Sequence, residues 1–173
     1  MEKIEDLMSK RKWRKMCLRT NLANPEDIVT YGAGQVKSVK LYSNVLKNRE
    51  KEPELWGAIK ETAPELFGNE TQLTLNKDLC CKRHRDRGNK ERSWILWLGG
   101  FAGGALKFDN GDKVEGKYEW HQIDGRDYQW NDPREGSKYS TVHYRGFDRP
   151  KARTLNNIVK AKKAAQENSQ ISV

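Results

Sequence analysis

Residues 94–108, WILWLGGFAGGALKF, decide the fold of this chain. The segment begins with five consecutive apolar residues, which is typical of a strand buried on both faces. The double glycine Gly103-Gly104 then marks a turn at which backbone segments approach closely, and the apolar residues after it predict another strand. The segment therefore predicts two buried strands joined through glycines, with Trp94 and Trp97 in the core.

Helices and further strands are predicted on both sides of this segment. Residues 2–18 carry apolar side chains at helical spacing, and Pro53 begins a second predicted helix. Residues 36–42, 71–76 and 117–123 have the composition of strands. Helices followed by a run of strands predict an α+β fold, a double-stranded β-helix (jelly roll) backed by N-terminal helices.

The length of 173 residues suits one domain with its own hydrophobic core. We expect a basic N-terminal helix at residues 1–20, a β-helix domain at residues 21–149, and a basic C-terminal helix and tail at residues 150–173. The last helix is predicted from apolar residues at helical spacing. It has two interpretations, packing on the sheet or contact with a partner.

The composition argues against a membrane protein and favours an anionic partner. Charged residues make up 33% of the chain, the mean hydropathy is −0.99, and no apolar run is long enough to cross a membrane. The formal net charge is +9. Because phosphate neutralisation supplies most non-specific affinity for nucleic acid, we expect a nucleic-acid partner and no membrane contact.

The cysteines and the N-terminus predict an intracellular protein. The three cysteines include the vicinal pair Cys80-Cys81, which cannot form an ordinary unstrained disulfide, and the odd count favours a reducing compartment. The N-terminus lacks the apolar core of a secretion signal. The basic run at residues 10–15 is interpreted as a phosphate-binding arm, a nuclear import signal or a solvated face. We therefore expect an intracellular protein, and the import-signal interpretation specifies the nucleus.

His84 and Asp86 form half of a predicted metal site. They are two residues apart, so on an extended strand their side chains share a face and can reach one ion. In non-haem Fe(II) oxygenases two imidazoles and one carboxylate hold one face of the iron. The alternative is that His-Arg-Asp is only a polar triplet in a charged loop. An iron site would require a second histidine.

The order of motifs resembles the Fe(II)/2-oxoglutarate-dependent dioxygenases, specifically the ten-eleven translocation and J-binding protein group, over roughly residues 31–144. The motifs that carry the resemblance are Asn76-Lys77, His84-x-Asp86 followed by Asn89 and Ser93, Gly103-Gly104-x-Leu106, Asp124-Gly125-Arg126 and Glu135-Gly136-x-Lys138-Tyr139-Ser140. The resemblance implies a jelly roll, Fe(II) and 2-oxoglutarate as cofactors, and oxidation of a methyl group on a base in DNA or RNA.

The resemblance implies that His84, Asp86 and the residue at Gln129 bind the metal. Gln129 stands where the group has its second histidine, five residues after the aspartate of Asp-Gly-Arg. A glutamine oxygen is a neutral and weaker ligand than imidazole, so we expect reduced iron affinity.

The resemblance also implies a 2-oxoglutarate site made by Lys138 and Ser140, with Asn76 positioning cosubstrate or substrate. Lys138 stands where the group has an arginine. Lysine still neutralises a carboxylate, but without the planar, two-pronged match of a guanidinium. For Asn76, capping of a turn is the alternative.

The sequence contains two other histidines that could supply the third metal ligand, His121 and His143. His143 has the opposite strand parity to Lys138, so it is expected to face away from the pocket. Parity does not exclude His121, although a core or exposed histidine is the expectation there.

A cluster of polar and cationic residues surrounds the metal pair. It is interpreted either as the entry for a phosphate-bearing substrate or as a solvated loop. Its members are Arg83, Arg85, Arg87, Asn89 and Lys90.

The sequence leaves the activity open. The leading hypothesis is a nucleobase-oxidising dioxygenase, which requires a flipped or single-stranded base. The alternatives are a catalytically impaired protein of the same fold that binds nucleic acid or regulates, a protein side-chain hydroxylase, and a basic β-domain with incidental histidines.

Overall fold

The computed structural model describes residues 1–13, 37–42, 52–68 and 71–146. Helix α1 spans Glu2–Lys10 and helix α2 spans Pro53–Thr62, followed by a 3-10 turn at Pro64–Leu66. The N-terminal helix predicted at residues 2–18 is confirmed for Glu2–Lys10, but residues 11–13 are not helical, because the backbone becomes extended at Arg11. Residues 14–18 of that prediction and the predicted C-terminal helix lie outside the described residues.

A five-stranded antiparallel sheet forms the larger layer. Its strands are β1 (Lys37–Tyr42), β2 (Gln72–Lys77), β3 (Ser93–Leu98), β7 (Trp120–Ile123) and β10 (Tyr139–Tyr144). They lie in the order β1-β2-β10-β3-β7. After β3 the chain leaves this sheet, returns to add β7 at its edge, leaves again, and finally adds β10 at its centre.

Two smaller antiparallel sheets form the opposite layer. Their strands come from the residues between β3 and β10. A three-stranded sheet has the order β6-β5-β8, and a two-stranded ribbon pairs β4 with β9. The strands are β4 (Phe101–Gly103), β5 (Leu106–Phe108), β6 (Lys113–Val114), β8 (Gln129–Asn131) and β9 (Arg134–Gly136). Mostly antiparallel strands in two layers with few helices make a jelly-roll-like fold.

The outer face of the large sheet packs against the helices. Ile4 and Met8 of α1 and Leu55, Ala58 and Ile59 of α2 lie in this core. The sheet contributes the ring of Tyr139 and four leucines that are 0% exposed, Leu73, Leu75, Leu96 and Leu98. Trp13 also packs here, with its ring 6.2 Å from that of Tyr139, so in the described structure it serves the core.

The inner face of the large sheet packs against the three-stranded sheet. Ile95, Trp97 and Ile123 meet Leu106 and Phe108 in a second apolar cluster. The prediction of a core position is thus confirmed for Trp97, which is 2% exposed, but Trp94 is only half-buried on the outer face. The glycine turn is also present, since Gly103 and Gly104 have φ of +72° and +70°.

We expect Leu96→Ala to destabilise the fold by about 2 to 5 kcal/mol, because it deletes a fully buried side chain between the sheet and the helices. Urea unfolding followed by circular dichroism measures this change. Lys60→Ala, at an exposed position of α2, is the matched control and should change stability by no more than about 0.5 kcal/mol. Equal losses in both variants would contradict this packing.

His143 lies on the outer face, opposite to Lys138, as strand parity predicted. It is 4% exposed, and its ring centroid is 5.4 Å from that of Phe67. Burial lowers the pKa of His143 below 6.5, and the nearby Arg145 acts in the same direction, whereas Glu91 opposes it. This histidine is therefore a neutral core residue.

We expect His143→Leu to flatten the loss of stability in acid. Because the folded pKa is lowered, the unfolded chain binds more protons than the folded chain below about pH 6.5, and stability falls as pH falls from there. The variant lacks this contribution. Thermal unfolding between pH 7.5 and pH 5 tests it, and identical pH slopes for both proteins would exclude the effect.

Candidate metal and anion site

The segments that carry His84 and Gln129 are paired through their backbones. The His84 N–H donates to the Gln129 carbonyl at 2.9 Å, and the Gln129 N–H donates back at 2.8 Å. The Asp86 N–H donates to Gly125 O at 2.6 Å. No regular strand holds His84 and Asp86, since they lie in the segment between β2 and β3. The bridge to β8 positions them instead.

The three predicted metal-binding side chains meet at one point. His84 Nε2 lies 3.8 Å from Asp86 Oδ1, and Gln129 Nε2 lies 3.4 Å from Asp86 Oδ2. His84 Nδ1 lies 2.7 Å from Lys82 O, a contact in which the ring N–H donates. In the neutral ring this arrangement leaves a lone pair on Nε2, which faces Asp86, as in a metal-binding imidazole.

Gln129 supplies a buried acceptor that the fold leaves unused. Its side chain is 4% exposed, and Oε1 has no hydrogen-bond partner among the described residues. A Cβ on Gly125 would lie 3.2 Å from Asp86 Oδ2 and 3.4 Å from Gln129 Nε2. Because glycine leaves this space free, the amide and the carboxylate can approach each other.

The donor set fits a weakly held divalent cation. One imidazole nitrogen, one carboxylate and one amide oxygen are all metal ligands, but the set lacks the second imidazole of a non-haem iron site. Nowhere in residues 1–13, 37–42, 52–68 and 71–146 do three or more His, Cys, Asp or Glu side chains converge as a metal site. His121 therefore does not complete the set; its ring lies 5.4 Å from Trp97 instead.

Lys138 is a buried cation beneath the β4–β9 ribbon. It is 4% exposed, its Nζ donates to Gly104 O at 2.5 Å, and it lies 4.6 Å and 5.0 Å from the ring centroids of Trp97 and Phe101. No carboxylate of the described residues forms an ion pair with it. Burial, aided by the charge of Arg134, lowers the pKa of Lys138 to about 8.

Arg134 is a second buried cation, which sequence reasoning missed. Its side chain is 1% exposed, and Nη2 lies 3.0 Å from Asp78 Oδ1. Asp78 also binds the backbone of Lys138 twice, through its N–H to Lys138 O at 2.7 Å and through Oδ1 to the Lys138 N–H at 3.0 Å. The Asp78 carboxylate thus pairs with the Arg134 side chain but not with the Lys138 ammonium, so this part of the described interior has an excess positive charge.

Ser140 and Asn76 lie beside each other on the inner face. Asn76 Nδ2 donates to Ser140 Oγ at 3.1 Å, and both residues are buried. Ser140 also faces Trp97 across the neighbouring strand. The structure therefore brings the predicted cosubstrate residues to one side of the interior, on the face that carries Trp97.

The predicted substrate residues are divided between the surface and the interior. Arg83 is paired with Asp109 and lies 3.8 Å from the ring centroid of Tyr128. Arg85, Arg87 and Lys90 are exposed. Asn89 is 9% exposed and donates through Nδ2 to Ser93 Oγ at 3.1 Å. The structure therefore gives Asn89 the position of a supporting residue rather than a rim residue.

In the parts of the chain described here, no helix is both long and apolar enough to span a bilayer.

Fold and site together define a jelly-roll-like β-protein with a His-x-Asp pair and a buried cation between its layers. The same fold occurs in an oxidoreductase of the 2OG-Fe(II) oxygenase family from Burkholderia pseudomallei, with a TM-score of 0.57 and 11% identity over 84% of this chain and 77% of that chain. At this identity the likeness is one of fold.

Prolyl 4-hydroxylases are also found among similar structures, at lower scores. One from Pseudomonas putida has a TM-score of 0.42 and 15% identity, covering 73% of this chain and 76% of its own. One from Phytophthora capsici has a TM-score of 0.38 and 14% identity, covering 72% and 55%. These two add nothing to the fold assignment. No family model matches the chain, and no curated protein matches it in sequence.

Proposed function

We propose that this protein is an Fe(II)/2-oxoglutarate-dependent oxygenase that acts on a methyl group of a base in DNA or RNA, with its two layers forming a double-stranded β-helix. The observation that carries the proposal is the convergence of His84, Asp86 and Gln129, from segments about 45 residues apart, around an unpartnered buried acceptor. Gln129 Oε1 has no hydrogen-bond partner among the described residues, and this supports a cation site beside His84 and Asp86.

The proposed metal ligands are His84 Nε2, Asp86 and Gln129 Oε1. A bound Fe(II) would supply the activation of oxygen for the oxidation. Lys82 O holds the His84 ring with its Nε2 directed inwards, and Gly125 leaves room for the carboxylate and the amide. Asp86 is 46% exposed in its side chain, which supports an ion position that a large substrate can reach.

The proposed cosubstrate site uses the excess charge of the interior. A carboxylate of 2-oxoglutarate would pair with the Lys138 ammonium, which has no acidic partner in the described structure, while Ser140 donates a hydroxyl hydrogen bond. Binding a carboxylate there offsets the cost of a buried charge. Trp97 and Phe101 border the ammonium and exclude water from the pair.

The proposed substrate, nucleic acid, is supported by the charge around the entry. Residues 82–92 carry six Lys and Arg side chains against two carboxylates, and Arg85 and Arg87 are exposed on either side of Asp86. Phosphate contacts of this kind position a strand without reading its sequence. The target base must leave the stack to reach the metal ligands.

The test uses protein loaded anaerobically with Fe(II) and then given 2-oxoglutarate, oxygen and single-stranded DNA or RNA containing thymine or 5-methylcytosine. We expect succinate and oxidised base in equal amounts, and neither with His84→Ala. In a parallel binding experiment, Arg85→Gln/Arg87→Gln should weaken binding of the strand and reduce its salt dependence. The exposed pair Lys60→Gln/Lys113→Gln is the matched control. Metal-loaded protein that forms no succinate with any of these substrates would overturn the activity.

A second candidate function is favoured by the amide at position 129. Gln129 Nε2 already faces Asp86 Oδ2 at 3.4 Å, so the glutamine can satisfy the carboxylate without a cation. In this case the protein would bind nucleic acid without turnover. Succinate formation by the unaltered protein excludes this candidate, and its appearance only after Gln129→His supports it.

A further inference from the structure

The amino group of Lys138 has the surroundings of a nucleophilic lysine. Its hydrogen bond goes to the carbonyl oxygen of Gly104, which can accept from an ammonium or, more weakly, from a neutral amine. Its other neighbours are the rings of Trp97 and Phe101. Lysines activated as nucleophiles are typically desolvated in apolar pockets or placed next to a second cation, and Lys138 meets both conditions.

The second cation, Arg134, lies in the same cradle around Gly104. A Cβ on Gly104 would come within 3.1 Å of Lys138 Nζ and 3.0 Å of Arg134 Cβ. Arg134 Nε is buried and has no hydrogen-bond partner among the described residues. The cradle therefore combines a buried amine with an unused guanidinium donor.

These surroundings favour the neutral amine. Burial and the charge of Arg134 lower the pKa of Lys138 to about 8, whereas the ring faces favour the ammonium and offset part of this effect. At pH 8 roughly half of such a group is unprotonated, against under about 1% of an ordinary lysine. The backbone is held in place by its two hydrogen bonds to Asp78.

We propose that Lys138 is an imine-forming residue whose amino group condenses with the carbonyl carbon of a short 2-oxo acid, while Arg134 holds the acid's carboxylate. The Lys138 nitrogen attacks the carbonyl carbon and a C–N bond forms. The carbonyl oxygen leaves as water with the two hydrogens of the amine, so no oxidant or reductant is needed. This reaction goes beyond the proposed oxygenase function, because it requires no metal and uses Lys138 as a nucleophile.

A short β-ribbon covers this amine. The ribbon that covers it consists of three residue pairs between β4 and β9. Ala102 and Gly103 on one strand and Glu135 and Gly136 on the other are exposed. A ribbon this short has few contacts to break, so local opening is inexpensive compared with unfolding. We expect two-carbon and three-carbon acids to enter through such a local opening more readily than longer acids.

The test is reductive trapping on the metal-stripped, full-length protein. Glyoxylate or pyruvate is added with sodium cyanoborohydride at pH 8, and adducts are mapped by peptide mass spectrometry. We expect at least about tenfold more adduct at Lys138 than at any exposed lysine, with the yield rising between pH 7 and pH 9. Equal labelling of Lys138 and exposed lysines such as Lys60 would overturn the proposal.

Two variants separate imine formation from mere folding or charge. Lys138→Arg keeps a buried cation but cannot form an imine. The adduct yield of the whole protein should then fall to the yield that the exposed lysines give. Arg134→Gln should reduce trapping of glyoxylate severalfold more than trapping of the uncharged acetaldehyde, with folding checked by circular dichroism. Unchanged trapping in Lys138→Arg, or equal effects on both probes in Arg134→Gln, would contradict the respective role. Because iron is absent, these results do not depend on the oxygenase activity.

Discussion

Replacing Lys138 with methionine should abolish binding of 2-oxoglutarate and at the same time stabilise the unliganded protein. Removing the cation leaves a buried carboxylate of the ligand without its partner, which costs about 2 to 5 kcal/mol, or a factor of roughly 30 to several thousand in Kd. Isothermal titration calorimetry at pH 7 measures this loss. Lys107→Met, which removes a partly exposed ion pair with Asp132, is the control and should bind normally.

Lys138→Met should weaken ligand binding but stabilise the unliganded protein, because the buried charge of Lys138 destabilises the folded state. With the pKa lowered from 10.5 to about 8, keeping the ammonium charged at pH 7 costs about 3 kcal/mol relative to the unfolded chain. The unfolded chain binds more protons between pH 8 and pH 10.5, so this group makes stability rise with pH in that window. Lys138→Met should lack that rise. Ligand binding by the unaltered protein should weaken above about pH 8, and a constant Kd from pH 7 to pH 9.5 would contradict the ion pair.

Replacing Gln129 with histidine should raise divalent-metal affinity by at least about tenfold, because an imidazole nitrogen replaces a neutral amide oxygen beside His84 and Asp86. Competition with a chelating dye, using Mn(II) as a redox-stable probe, measures the affinity. Gln122→His is the matched control, since it introduces the same side chain at an exposed position of β7. It should leave the affinity unchanged.

Succinate formation by Gln129→His measures how far the amide of Gln129 limits catalysis. If Gln129→His forms succinate faster than the unaltered protein in proportion to its metal occupancy, metal retention limits the reaction. If the affinity does not rise, Gln129 does not face the metal position and the donor set is wrong. His84→Ala combined with Gln129→His should return the affinity to a low value, because the new histidine then has only the carboxylate beside it.

Local patterns were sufficient to predict the parts of the fold that depend on neighbouring residues. The apolar run before Gly99 predicted strand β3, and Pro53 predicted the start of α2 at its first helical position. Parity along β10 placed His143 opposite to Lys138, because successive side chains on a strand alternate whatever else surrounds it. Such inferences need only the periodicity of a single element.

The remaining features depend on segments that are distant in sequence. The β-bridge between His84 and Gln129 joins residues about 45 positions apart, and no local sequence pattern predicts it. The burial of Arg134 is not predictable from its sequence neighbours, because arginine is rarely buried and its partner Asp78 lies far away in sequence. Asn89 lies between rim cations in sequence, whereas a turn directs it inwards to Ser93. Strands β4 and β9 have three residues each, too few for a period to be recognised.

The excess positive charge around Lys138 and Arg134 also affects how long the folded chain survives. An interior that carries more cations than carboxylates is unfolded more easily when empty than when an anion occupies it. Proteases cut mainly the transiently unfolded form, so binding of the proposed cosubstrate at Lys138 should slow the degradation of this protein. Scarcity of that cosubstrate should then lower the amount of the protein as well as its occupancy.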